Sequence, residues 1–220
     1  KTGSTREKLQ LCRKELDDPE RKTYFRKIAA MTHLAEILGK DSLKDLLPYL
    51  NHKYFRLREH AQKLAATHLA ALDKAALTQL VIHAGSTSNQ SGILHALGIH
   101  QIKAGTTLSK QALASPDPHL RNAALQAYAK LGGSLAISDI IAHLAKSRHK
   151  EDLRGCEEAL VILLKNPVST AKTKEALIAM VPKVQALPAV RQRLYYLLGQ
   201  AGDRKSLQIL SNAARTEDMQ

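Results

Sequence analysis

Apolar residues recur along this chain at helical spacing, in paired runs broken by Gly, Pro, Asp or short polar turns. The block length of roughly thirty-odd residues is that of a stacked helical pair. Residues 1–18 predict an N-terminal capping helix, with Leu9, Leu11, Cys12 and Leu16 on or near one face of Thr2 to Leu16. Residues 19–217 predict an array of about six antiparallel pairs, at approximately 20–50, 51–85, 88–114, 116–146, 148–184 and 187–215.

Local start and stop signals set the expected boundaries. Asp18-Pro19 supplies a cap and a first-position Pro for a helix from Glu20 to Gly39; Asp41 or Ser42 then caps a second from Asp41 to Leu50. The next pair runs from His52 to His68 and from Leu72 to Ala84. His83 to Gly92 is small, polar and without periodicity, and predicts a loop. A short third pair follows, Ser91 to Gln101 and Thr106 to Leu113, where any bend in the stack is expected. In the fourth, Asp117 caps, Pro118 opens the helix, Gly132-Gly133 turns, and Leu135 to Ala145 returns. The fifth covers Asp152 to Lys165 and Ser169 to Val184. The sixth starts at Pro188, turns at Gly202-Asp203 and closes with Leu207 and Leu210; Thr216 to Gln220 reads as a frayed end.

One basic position marks most of the blocks. Arg26, Arg58, Arg121, Arg154 and Arg191 each follow an apolar residue, at intervals of 32, 63, 33 and 37, the second interval spanning two blocks. Around two of them the pattern is fuller. Asp117-Pro118-x-Leu120-Arg121-x-x-Ala124 leads into Leu131-Gly132, and Val190-Arg191-x-x-Leu194-x-x-Leu197-Leu198-Gly199 leads into Gly202-Asp203. These segments resemble the HEAT repeat, in its bacterial phycobilisome-lyase-like variety, and the likeness extends over about residues 20 to 215. The resemblance implies an all-α, right-handed solenoid of antiparallel pairs, with second helices lining a concave side. It also implies that the Arg of each repeat pairs between neighbouring units, so these five arginines, with Asp117 and Asp203, are expected to be structural. It implies no activity, because such repeats serve scaffolds, adaptors, chromophore lyases and DNA-repair enzymes alike.

Composition narrows the picture. With 44% apolar residues, 4% aromatic and no Trp, the core must be Leu, Ala, Ile and Val. Apolar stretches such as Ala159 to Leu164 are far too short to span a bilayer. The chain opens on Lys1 rather than Met, so the lack of a targeting signal says nothing about compartment. Cys12 and Cys156 are expected to be isolated thiols, which favours a reducing intracellular compartment. Asn89-Gln90-Ser91 is a formal glycosylation sequon.

The formal charge is +13, and it is uneven. From Leu46 to Lys150 the only acids are Glu59, Asp73, Asp117 and Asp139, against Lys53, Arg56, Arg58, Lys63, Lys74, Lys103, Lys110, Arg121, Lys130, Lys146, Arg148 and Lys150. Such a field attracts nucleic acid, anionic membranes or acidic proteins, and it also keeps a Leu/Ala-rich chain in solution.

No constellation for chemistry emerges. The histidines lack metal-ligand spacing, no GxSxG elbow or P-loop occurs, and the paired carboxylates sit at sequence neighbours or helix starts. No catalytic, metal or cofactor residue is expected. The expected function is a non-catalytic scaffold, an elongated monomer binding a protein or peptide along exposed second-helix positions: Lys44, Lys74, Gln79, Lys110, Ser138, Lys174, Lys205 and Gln208. The alternative is a basic module contacting the phosphate backbone of nucleic acid. HEAT-like alkylpurine DNA glycosylases use Trp and a catalytic Asp; this chain has no Trp and no Asp in a matching motif, so that activity is not expected. A chromophore-lyase function is suggested by the repeat subtype alone. Lys53-Tyr54-Phe55-Arg56-Leu57-Arg58 mixes bases and aromatics as nucleic-acid binders do, but an aromatic staple at a helix start is the favoured reading.

Overall fold

A computed structural model describes residues 4–18, 24–184 and 187–217. The protein is all-helical, with no strand among the described residues, and its helices gather into two compact units, Lys1–Gln111 and Ala112–Gln220. Pro19 and Glu20, the expected start of the first pair, lie outside the described residues. So do residues 218–220 of the expected frayed end, while 216 and 217 continue the last helix.

In the first unit, α1 (Thr5–Asp17) opens with a capping box: the Ser4 hydroxyl accepts from the Glu7 N–H, and the Glu7 carboxylate accepts from the Ser4 N–H. α2 (Tyr24–Leu38) ends where Gly39 takes φ +56°, a left-handed position that costs other residues. The helix expected over Asp41 to Leu50 is broken into a 3-10 turn (Gly39–Ser42), the four-residue α3 (Leu43–Leu46) and a second 3-10 turn (Leu47–Tyr49). Two local causes are visible. Ser42 does not cap; its hydroxyl donates back to the Gly39 carbonyl at 2.7 Å. Pro48 carries no N–H to continue an α-helical ladder. Arg13 fixes this segment by forking onto both oxygens of Asp45 at 3.0 Å.

α4 (Phe55–Ala70) and α5 (Lys74–Ile82) follow, the latter capped by Asp73 on the Ala76 N–H at 2.8 Å. The predicted loop at His83 to Gly92 is largely helix. α6 (Thr87–Ile99) starts there, capped by the Ser86 hydroxyl on the Asn89 N–H. Ser91 and Gly92 are buried, and a Cβ on Gly92 would stand 2.6 Å from Leu50 Cβ. The sequon is thus folded into a helix, with the Asn89 amide donating to the Ala84 carbonyl at 2.7 Å. α7 (Thr106–Ala112) runs to the end of this unit. The first helices α2, α4 and α6 are neighbours in chain order, over a core that includes Met31, Leu34, Leu46, Leu50, Leu69, Leu77, Ile93 and Leu97.

In the second unit, α8 (Pro118–Gly132) begins as its sequence dictates, with Asp117 accepting from the His119 and Leu120 N–H groups at 2.8 and 3.1 Å. Removing that cap, Asp117→Ala, is expected to cost about 1 kcal/mol in denaturant unfolding; an unchanged midpoint would mean water caps the helix equally well. α9 (Ile137–Lys146), α10 (Lys150–Lys165), α11 (Thr170–Met180), α12 (Pro188–Ala201) and α13 (Arg204–Glu217) complete the unit. α10 packs between α8 and α12, and α9 against α11. Gly155 brings α10 close to α8, since a Cβ there would collide with the Asn122 amide and reach Leu125 Cδ1 at 3.0 Å. Gly202, at φ +63°, ends α12; Asp203 then accepts from the Lys205 and Ser206 N–H groups at 3.0 Å to start α13. Leu125, Ile140, Leu144, Cys156, Leu160, Leu163, Leu177, Leu194 and Leu197 form the core. No described helix is long and apolar enough to cross a membrane.

Candidate functional site

The second-helix positions divide between the units. Lys44 on α3, Lys74 and Gln79 on α5, and Lys110 on α7 are exposed in the first unit; Ser138 on α9, and Lys205 and Gln208 on α13, are exposed in the second. Lys174 on α11 differs. It is half-buried, with its ammonium 3.6 Å from the Asp203 carboxylate, and so links α11 to the start of α13. That carboxylate lies below its usual range, chiefly because the Ser206 N–H bonds its charged form. Exposed apolar residues share these helices: Ile82 beside Gln79 on α5, and Leu207 beside Gln208 on α13.

The arginine ladder holds several different arrangements. Arg121 is the most engaged: its Nε and Nη2 meet the two Asp152 oxygens at 2.8 and 2.9 Å, and its Nη1 donates to the Ser115 and Pro116 carbonyls. It therefore ties α8 to α10 and to the loop before α8, and the pairing holds its guanidinium above the usual value. Arg58 donates to the His52 carbonyl at 2.8 Å, bonding the loop before its own helix. Arg154 is exposed and bonds Glu158 one turn on in α10, while Arg191 is half-buried and Arg26 exposed.

Around Arg121 lies the arrangement most like an enzyme site. Asp152, Ser147 and Cys156 are buried there, with His143 partly so. Its chemistry runs the wrong way for a nucleophile. Burial, ahead of a Ser147 bond that opposes it, pushes the Cys156 thiol up to about 12, so the thiolate is scarce near neutrality. Asp152 has both oxygens on Arg121 rather than on an imidazole, and desolvation pushes His143 below its ordinary value. Tyr128 is similarly quiet: buried and donating to Asp139 at 2.7 Å, it is pushed up to about 12. Both cysteines are free and buried. No group of three or more His, Cys, Asp and Glu is placed to hold a metal among the described residues. His52, His60 and His100 are also pushed down from the ordinary value, mainly by desolvation.

A third arrangement occupies the N-terminal ends of α2 and α4. The favoured aromatic staple is not what forms there, because Phe55 remains 61% exposed with the Arg58 guanidinium 5.6 Å from its ring centroid. Tyr54 continues a column of rings. Tyr49 stacks on His52 at 5.6 Å, and Tyr54 meets His52 at 5.3 Å with the rings tilted by 40°, with Lys53 over the Tyr54 ring. Lys27 reaches in from α2, over Tyr49 and onto the Leu16 carbonyl. On α2, Phe25 is 74% exposed and meets Tyr24 edge to face. A signal for this was in the sequence: Tyr24-Phe25-Arg26 and Tyr54-Phe55-Arg56 are the same triplet, thirty residues apart. Treating Phe25 only as the apolar residue before Arg26 hides the match.

No family model matches this chain, and no curated protein sequence matches it. Among solved structures it is similar to two engineered proteins. One is 16% identical with a TM-score of 0.39, the alignment covering 88% of this chain and 96% of that one. The other is 14% identical with a TM-score of 0.40, covering 94% of this chain but only 61% of the engineered chain's length.

Proposed function

We propose that the chain is a non-catalytic scaffold of HEAT-like helix pairs, continued as a right-handed α-solenoid, that binds a protein or peptide partner along its second helices. Support for the solenoid comes from within each unit, where first helices neighbour one another in chain order, as stacked repeats require. Support for the absence of catalysis comes from the polar cluster around Arg121, where burial raises the Cys156 thiol to about 12 and both Asp152 oxygens are taken by Arg121 rather than by an imidazole. The observation that carries the partner class is the mixture on α5 and α13. Exposed Ile82 and Leu207 lie among Lys74, Gln79, Lys205 and Gln208, the blend of apolar and polar side chains from which protein contacts are made.

Two measurements test this. Small-angle scattering of the monomer should give a radius of gyration clearly above the roughly 17 Å of a compact ball of this length. In affinity capture, Lys74→Glu with Lys110→Glu should lower recovery of the partner held by the unmodified chain by about tenfold. Arg154→Glu, on a first helix, should leave recovery intact. Equal recovery by the charge-reversed chain would remove the second helices as the binding face.

A further inference from the structure

We propose that the twinned Tyr-Phe-Arg segments at the starts of α2 and α4 form a binding site for single-stranded nucleic acid, with bases on the aromatic rings and phosphates on the flanking cations. The site lies on first helices of the first unit and does not depend on the second-helix reading. Three observations converge on it.

The first is where the chain spends its phenylalanines. It has only two, and both are on the surface, 74% exposed at Phe25 and 61% at Phe55, although the core has ample Leu and Ile. Single exposed apolar residues need no explanation, but the entire complement of one core-favouring residue type placed outside does. The second is repetition. Each phenylalanine follows a tyrosine and precedes an arginine, and the two triplets open neighbouring helices. Those helices are joined side by side, with Thr32 Oγ1 on α2 meeting His60 Nε2 on α4 at 2.9 Å. The two ring-and-cation units thus open adjacent helices, an arrangement a strand presenting successive bases can use.

The third is charge and ring geometry together. Arg26, Lys53 and Arg56 are all exposed around the rings, and Glu59 is the only acid from Lys53 to Leu72. Tyr49 and His52 already stack flat groups, Tyr54 follows them at a tilt of 40°, and Lys53 lies over that outer ring, where an ammonium can exchange the ring face for a phosphate. Duplex bases are stacked on one another and present no free face, so single strands fit this surface better. An anionic membrane would use the same cations and could seat the exposed phenylalanines, and it is the alternative the experiment must separate.

The test is fluorescence anisotropy with labelled oligo-dT and oligo-rU of about 15 nucleotides, a matching duplex, and phosphatidylserine vesicles in parallel. The unmodified chain should bind the single strands, with affinity falling steeply as salt rises. Phe25→Ala with Phe55→Ala should weaken single-strand binding at least about tenfold and duplex binding less than about twofold. Because both side chains are exposed, the melting temperature should hold, and Phe→Tyr at both sites should restore binding. Arg26→Gln with Arg56→Gln should weaken both nucleic acids and flatten the salt dependence. Three results would overturn the proposal: no single-strand binding at low salt, single-strand binding that ignores the loss of both rings, or a ring-dependent affinity seen only with vesicles.

Discussion

Asp152→Ala is expected to lower the unfolding free energy by about 3–5 kcal/mol. The Asp152 carboxylate is buried on α10 and takes two charge-assisted bonds from Arg121 on α8. Truncating it leaves the guanidinium in a half-buried site with only the Ser115 and Pro116 carbonyls. The cost is mainly that of the stranded cation, which explains why it exceeds the worth of an exposed ion pair such as Arg154–Glu158. Asp152→Ala combined with Arg121→Met should recover a large part of the loss, since no buried charge is then unpaired. Denaturant melts followed by circular dichroism decide the matter. A loss below about 1 kcal/mol would mean the site hydrates freely once the acid is gone.

A comparable effect is expected at Gly92. Its missing Cβ is what lets α6 lie against the segment ending at Leu50, where an added methyl would meet Leu50 Cβ at 2.6 Å and the Asn51 N and Leu50 C atoms at 3.0 Å. Backbone cannot rotate aside as a long side chain would, so Gly92→Ala should destabilise by about 2–3 kcal/mol, despite the better helix propensity of Ala. Gly199→Ala is the control. That glycine also sits inside a helix, but its nearest non-local atom is Leu210 Cδ1 at 3.9 Å, so the same change should be neutral or stabilise by up to about 1 kcal/mol. Equal melting behaviour of the two variants would show that α6 can back away from Leu50 without loss.

These two sites mark where sequence reasoning succeeds and where it stops. Helix boundaries at Asp117-Pro118 and Gly202-Asp203 are legible because capping is local: the side chain that bonds the free N–H is two or three residues away. α6 is harder to read although Ser86 caps it just as locally. From Ser91 to Gly98 nearly every residue is buried, so no amphipathic stripe exists, and Ser91 and Gly92 permit close approach rather than turn the chain. Of the two causes that break the helix at 39–49, Pro48 is legible in the sequence, whereas the Ser42 hydroxyl choosing a carbonyl over a cap is not.

The candidate surfaces follow the same division. Exposure of Lys74, Gln79, Lys205 and Gln208 is readable from periodicity. The diversion of Lys174 to Asp203 is not, because its partner lies two helices on, at the start of α13. Arg121 and Arg154 share a sequence setting yet bond differently, one to an acid on the next first helix, α10, and the other within its own. For Tyr-Phe-Arg the obstacle was comparison alone, since the second copy lay in plain view.

The depth of Cys156 gives the protein an internal clock. Thiol reagents can reach that sulfur only when α10 lifts away from its neighbours, so the speed of labelling counts openings of the second unit's core. The molecule thereby reports its own breathing through a native side chain, with no reporter residue engineered in.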